Sequence, residues 1–181
     1  MITARGVGLA LFVVWAVWLV ALQALAVSVD GLGPYVPDLG LVLALALVAR
    51  GHARDVPPLA ILWAFARVTF AVDPPFAVFA GAAGVLVLAR AMRSVVETHG
   101  PLPRTLVAGL CALVFDAWLI GVHHVRHETL WAAGDGVAAS VAEPTLFTAW
   151  PAAASTALAA LAFGPTLARL PGLTPIRRGR W

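Results

Sequence analysis

VGLALFVVWAVWLVALQALAV, residues 7–27, is an apolar segment without a single charged residue. A helix needs about 20 apolar residues to cross the hydrocarbon core of a bilayer, which is about 30 Å thick. The segment meets that length, so it predicts a membrane-spanning helix. The apolar core of a secretory signal peptide is shorter, about 7–15 residues. We therefore interpret the segment as an uncleaved first span, although Ala24-Leu25-Ala26 resembles a cleavage site.

The whole chain has the same apolar character. It has 181 residues, of which 61% are hydrophobic and 12% are charged, whereas about 25% are charged in ordinary soluble proteins. This composition excludes a water-soluble globular domain and predicts an all-α polytopic membrane protein that contacts lipid. One cysteine, Cys111, excludes a disulfide framework. The net charge of +3 comes from arginines scattered between apolar runs, so we predict no nucleic-acid partner.

Five more apolar runs follow the first, and proline-rich breaks separate some of them. Pro57-Pro58 suits the start of a helix, and Asp73-Pro74-Pro75 interrupts one. The sequence predicts one domain, residues 1–181, folded as a compact bundle of six transmembrane helices, with a short surface helix around residues 136–142. If the second and third runs form one re-entrant hairpin, the count is five. The predicted spans are 7–27, 35–49, 58–72, 76–92, 102–122 and 145–168.

Arginine placement predicts the orientation of the bundle. Basic residues concentrate in cytoplasmic loops of membrane proteins. With six spans, only Arg126 falls on the opposite side, and Arg67 lies within the membrane. Both termini are therefore predicted to be cytoplasmic, in a multi-pass membrane protein. The arginines that share the predicted cytoplasmic side are Arg5, Arg50, Arg54, Arg90, Arg93, Arg104, Arg169, Arg177, Arg178 and Arg180.

Arg67 needs a partner, because a charged side chain near the bilayer centre costs about 2.5–3.5 kcal/mol on insertion scales. Asp116 on the fifth span is the candidate, since an extended arginine side chain can bridge the predicted difference in depth. The sequence therefore predicts an Arg67–Asp116 pair, and the alternative is that Arg67 extends outward while Asp116 sits near the outer interface. Small residues at four-residue spacing predict close helix packing inside the bundle. These pairs are Ala77/Gly81, Ala80/Gly84 and Ala153/Ala157.

A histidine cluster ends the fifth run. His123 and His127 are four residues apart, beside Glu128, and this spacing is compatible with a metal. The usual metalloprotease motif is absent, and histidines also suit a wet helix end. We therefore predict no metal and no cofactor, with these three residues as weak candidates. The sequence contains no nucleophile, phosphate-loop or paired-carboxylate motif, so it predicts a protein that is not an enzyme.

VPDLGLVLALALVARG, residues 36–51, resembles the rod-shape-determining MreD family, which commonly opens its second segment with Pro-Asp and a leucine-rich run. Residues 59–93 are also similar: a helix, a short acidic-proline turn, and a helix that ends in several arginines. The resemblance extends over residues 35–122. It implies a non-enzymatic, multi-pass subunit of the bacterial cell-shape and peptidoglycan-elongation machinery, located in the bacterial plasma membrane. Such a subunit binds the scaffold protein MreC and acts with wall-synthesis membrane proteins.

The resemblance also implies roles for individual residues. Pro37 and Asp38 match the Pro-Asp motif and are carried over as structural or partner-facing residues. The chain departs from the family in its third helix, where Arg67 occupies the neighbourhood of a glycine and Asp73 stands in for an aspartate. We take these four residues, together with Asp116, as candidate binding residues.

Two other functions fit the six-helix layout. The chain is similar in size and layout to the substrate-binding S-components of vitamin transporters, which would need an outward-facing polar pocket. A small anchor subunit of a redox or photosynthetic complex is the other alternative, in which the seven tryptophans would face the interface or a pigment. Candidate residues for the transporter pocket are Arg67, Asp116, Trp118, His123, His124 and Trp131.

Overall fold

The computed structural model describes residues 4–29, 31–71, 73–95, 100–132 and 146–173. Six α-helices form a bundle, and the described residues contain no strand, so the predicted all-α fold is confirmed. Short 3-10 turns, Gly33–Tyr35 and Ala53–Asp55, precede the second and third helices. The helices are α1 (Ala4–Val27), α2 (Leu39–Val48), α3 (Val56–Val68), α4 (Pro75–Val95), α5 (Pro101–Ala132) and α6 (Leu146–Leu167).

The helices differ in length more than the predicted spans do. Within the described residues, α1, α4 and α5 contain segments long and apolar enough to cross a membrane. The second helix begins at Leu39 rather than at residue 35, because Asp38 caps it, and α3 ends at Val68 rather than at residue 72. With 10 and 13 residues, α2 and α3 extend only about 15 and 20 Å. The number of membrane passes stays a prediction, as does the surface helix at 136–142, which lies outside the described residues.

Helix α2 lies at the centre of the bundle. All of its residues from Gly40 to Val48 are buried, and it contacts each of the other five helices. Its leucines, alanines and valines surround the helix axis, and a helix that is apolar on all sides is one that protein or lipid encloses. Here the surrounding helices do so. The outer helix faces expose large apolar side chains instead, among them Trp18, Phe65 and Leu106, as a lipid-facing surface requires.

Small residues allow close packing at two helix contacts. A Cβ atom on Gly81 would lie 2.7 Å from Cδ1 of Trp118 and 2.9 Å from Cε2 of Phe115, so α5 packs directly on the α4 backbone. A Cβ atom on Gly109 would lie 3.1 Å from Cβ of Ala157, where α5 meets α6. Internal packing is therefore confirmed for the Ala77/Gly81 and Ala153/Ala157 pairs.

The prediction of internal packing is wrong for the Ala80/Gly84 pair. Both residues are exposed on α4, and no atom lies within 4 Å of a Cβ built on Gly84. The pair lies on the exposed surface of α4, while Ala77 and Gly81 are buried. Four-residue spacing identifies a common stripe along a helix but not the direction in which that stripe faces.

One end of the bundle carries most of the described arginines, and we call it the arginine end. The Arg5 guanidinium at the start of α1 forms an ion pair with Asp55 and also donates to the carbonyl of Arg54. Arg93 near the end of α4 donates to the carbonyl of Val48, the last residue of α2, and to that of Gly51 just beyond it. Helix ends that are far apart in sequence therefore meet here. The described arginines of this end are Arg5, Arg50, Arg54, Arg90, Arg93, Arg104 and Arg169; residues 174–181, with the last three, lie outside the described residues.

Candidate functional site

Asp38 stands where α2 begins, near the end of the bundle opposite the arginine end. One oxygen of its carboxylate, Oδ1, accepts a hydrogen bond of 2.8 Å from the backbone N–H of Leu41 and so caps α2. The backbone N–H of Asp38 donates to the Thr156 hydroxyl on α6 over 2.9 Å. Thr156 in turn donates to the carbonyl of Ala152 over 2.7 Å. Asp38, which follows the half-buried Pro37, thus both starts α2 and ties it to α6.

The second carboxylate oxygen of Asp38 accepts a hydrogen bond from the Arg67 guanidinium, and the two side chains form an ion pair. Only 11% of the Asp38 side chain and 16% of the Arg67 side chain are exposed. The guanidinium carbon also lies 4.7 Å from the centre of the Phe115 ring on α5. That ring packs against Trp63 of α3 with a centroid separation of 5.1 Å. Four helices, α2, α3, α5 and α6, therefore meet around one neutralised charge pair.

The predicted pairing of Arg67 with Asp116 is wrong. Within the described residues, the one carboxylate that pairs with Arg67 is that of Asp38. Asp116 follows Phe115 on α5 and interacts with Arg67 electrostatically, without an ion pair. The reason lies in the short helices: α3 ends one residue after Arg67 and α2 begins one residue after Asp38, so both residues lie at the same end of the bundle.

A polar pocket of about 230 Å³ adjoins this ion pair between α1 and α3. Gln23 and Arg67 are its polar side chains, and the remaining side chains are apolar, with Phe70 the largest. Two buried atoms here, Gln23 Oε1 and Arg67 Nε, have no hydrogen-bond partner within the described part of the chain. Buried polar atoms are normally satisfied, so the pocket offers an unused acceptor and an unused donor. A hydroxyl or amide group has the matching chemistry.

Gln23 is the residue that sequence reasoning missed. It is the only glutamine in the chain, and the chain has no asparagine, so it is the only carboxamide in the protein. A lone carboxamide within an apolar span is a signal that could have identified it, because polar groups inside membrane spans usually face a partner or a cavity.

The other predicted site residues lie apart from this ion pair. Asp73 is half-buried in the turn between α3 and α4, and Asp116 interacts with it electrostatically. His123 is exposed on α5, whereas the side chains of His127 and Glu128 lie outside the described residues. No group of three or more metal-binding side chains occurs among the residues described.

The polar pocket between α1 and α3 differs in composition from the pocket predicted for a transporter subunit. Of the proposed residues, Arg67 lines the polar pocket, but Trp118 does not. The Trp118 indole instead donates to the carbonyl of Ala77 over 2.8 Å and packs on Gly81. His124 is exposed on α5, and the Trp131 side chain lies outside the described residues.

No family model, curated protein or solved structure matches this chain.

Proposed function

We propose that the chain is a non-enzymatic, multi-pass membrane subunit of the bacterial cell-shape and peptidoglycan-elongation machinery, similar to MreD. The observation that carries the proposal is the place of Asp38, which belongs to the Pro-Asp motif of the family resemblance. Asp38 caps α2, pairs with Arg67 of α3 and bonds to Thr156 of α6. Asp38 of the motif therefore holds three helices together, as expected for a protein that works by binding partners rather than by catalysis.

The ion pair is suited to holding helices rather than to chemistry. Asp38 and Arg67 neutralise each other, and the Phe115 ring covers the guanidinium. A buried pair of this kind can specify a unique arrangement of packed elements, here the tilt of α2 and α3 within the bundle. The exposed apolar faces of the surrounding helices would then contact partner membrane proteins, by our proposal an MreC-like scaffold and wall synthases.

Depletion of the protein in its rod-shaped host tests this proposal. We expect depleted cells to become round and the tagged protein to co-purify with the MreC-like scaffold of the same cell. Asp38→Ala should restore rod shape less well than Asp73→Ala, because Asp73 forms no ion pair with a described residue. If depleted cells keep their shape, and well-folded protein captures no scaffold, the proposal is wrong.

A substrate-binding subunit similar to a transporter S-component is the second candidate, and the polar pocket between α1 and α3 favours it. Gln23 Oε1 and Arg67 Nε are buried without partners among the described residues, as in a site that awaits a ligand. Mass spectrometry of purified protein should then detect a stoichiometric small molecule with hydroxyl or amide groups. Gln23→Leu should abolish retention, whereas Ser28→Ala, an exposed control at the same end of α1, should not. Absence of any bound molecule from folded wild-type protein would count against this function.

A further inference from the structure

A second cavity, separate from the Asp38–Arg67 junction, opens at the arginine end. It is a narrow cleft of about 30 Å³ between α2, α4, α5 and α6, and we call it the arginine-end cleft. Its interior is apolar, with Leu45, Val107 and Ala160 among the lining residues. Two basic residues, Arg93 and Arg104, are the charged groups among the described residues of the lining. The cleft therefore combines a hydrocarbon-like interior with positive charge.

The two arginines approach the cleft from different helices. Arg93 on α4 donates to the carbonyls of Val48 (3.3 Å) and Gly51 (3.2 Å), which orient its guanidinium. Arg104 lies on α5, and its Cδ atom is 3.4 Å from the position that a Cβ on Gly164 of α6 would take. Its side chain thus packs where α5 meets α6.

No carboxylate among the described residues forms an ion pair with Arg104. The ion pairs of that part of the chain use Asp55 and Asp38, and Asp55 accepts hydrogen bonds from the Arg5 guanidinium and from the backbone N–H of His52. Arginine binds phosphate oxygens well because its planar guanidinium offers several donors in a fixed geometry. Among the described residues, Arg104 therefore has no anionic partner, and it lies beside an apolar interior.

We infer that the arginine-end cleft binds an anionic phospholipid, with its phosphate at Arg104 beside Arg93 and one acyl chain lying across the apolar side chains at the mouth of the cleft. Positive charge argues for an anionic over a zwitterionic headgroup, and basic pockets between transmembrane helices on the cytoplasmic side are known to hold such headgroups. In the predicted orientation, the arginine end lies at the cytoplasmic leaflet, whose surface is negative because it contains anionic lipids. Because the lining comes from four helices, one bound lipid would tie their ends together. Lipid binding at this cleft does not depend on the proposed function.

Native mass spectrometry in detergent tests for this lipid. Protein is incubated with phosphatidylglycerol or with phosphatidylcholine of the same acyl chains, and retained lipid is counted. We expect wild type to retain phosphatidylglycerol preferentially. Arg104→Gln should weaken its retention about fivefold, the effect of one basic residue near an anionic surface, and Arg104→Lys should restore most of it. Arg54→Gln is the matched control, since Arg54 is exposed at the same end but does not line the cleft.

Two further measurements distinguish a phospholipid site from a site for a free phosphate group. Ala49→Leu, at a half-buried lining position, should reduce lipid retention without changing the charge. Glycerol 1-phosphate, which carries the anion without the acyl chains, should not displace the lipid. Equal retention of the two lipids by wild type, equal losses in Arg104→Gln and Arg54→Gln, or displacement by glycerol 1-phosphate would each overturn the inference. Thermal unfolding of each variant establishes that it is folded, and Arg104→Met, which removes the charge but keeps a long apolar side chain, replaces Arg104→Gln if that variant does not fold.

Discussion

Removing one member of the Asp38–Arg67 pair should destabilise the bundle strongly, and removing both should cost much less than the sum. Asp38→Asn removes the charge but keeps an oxygen that can accept the capping bond from Leu41. Arg67→Met removes the guanidinium and keeps an apolar chain against Phe115. The double variant leaves neither member of the charge pair at the junction. The comparison therefore separates the ion pair from the cap and from side-chain packing.

The magnitude follows from burial and from the neighbouring pocket. Loss of one partner of a buried ion pair costs about 3–5 kcal/mol of unfolding free energy. Arg67 borders a pocket of about 230 Å³, which lets water partly solvate an unpaired guanidinium, so we expect about 3 kcal/mol for Asp38→Asn. Asp38→Ala should cost about 1 kcal/mol more, because it also removes the helix cap. We expect a coupling energy between Asp38→Asn and Arg67→Met of at least about 2 kcal/mol, within the range for contacting residues.

Reversible unfolding in lipid–detergent micelles, with increasing sodium dodecyl sulfate, measures these free energies. The control cycle combines Arg67→Met with Asp116→Asn, where we expect coupling below about 1 kcal/mol, because the two side chains share no hydrogen bond. Additive costs for Asp38→Asn and Arg67→Met would refute the reasoning. So would a coupling to Asp116 that equals or exceeds the coupling to Asp38.

Two other predictions follow from the packing and from the arginine end. Gly81→Ala should lower the unfolding free energy by about 1–3 kcal/mol because its methyl group would collide with two aromatic rings of α5, whereas the same assay should show no loss for Gly84→Ala, where no atom lies within 4 Å. For topology, Ser28→Cys and Ala53→Cys place exposed thiols at opposite ends of the bundle, while the native Cys111 is buried. In intact spheroplasts, a membrane-impermeant maleimide should label the Ser28 variant and should label the Ala53 variant only after lysis; the reverse pattern would show that the arginine end faces outward.

Sequence patterns predict some features of the site but not their partners. Arg67 was identifiable because a lone arginine in an apolar run is costly, and Asp38 because it follows Pro37 in a family-like motif. That the two residues pair was not predictable, since it depends on how short α2 and α3 are and on where each begins. Because the flanking residues are apolar, the predicted second span began at residue 35 and the predicted third span ended at residue 72. These boundaries placed Asp38 and Arg67 at the wrong depths within the bundle.

The sequence by itself determined the helical class, the apolar surface and the gathering of arginines at one end. These properties follow from composition and from the order of apolar runs, because the bilayer acts on each segment separately. The tertiary structure alone decided that Asp38 neutralises Arg67, that Gln23 faces a pocket, and that the stripe with Gly81 faces inward while that with Gly84 faces outward. Such outcomes depend on how each helix is rotated and how deeply it sits. Packing against the other helices sets both quantities, and no single segment encodes them.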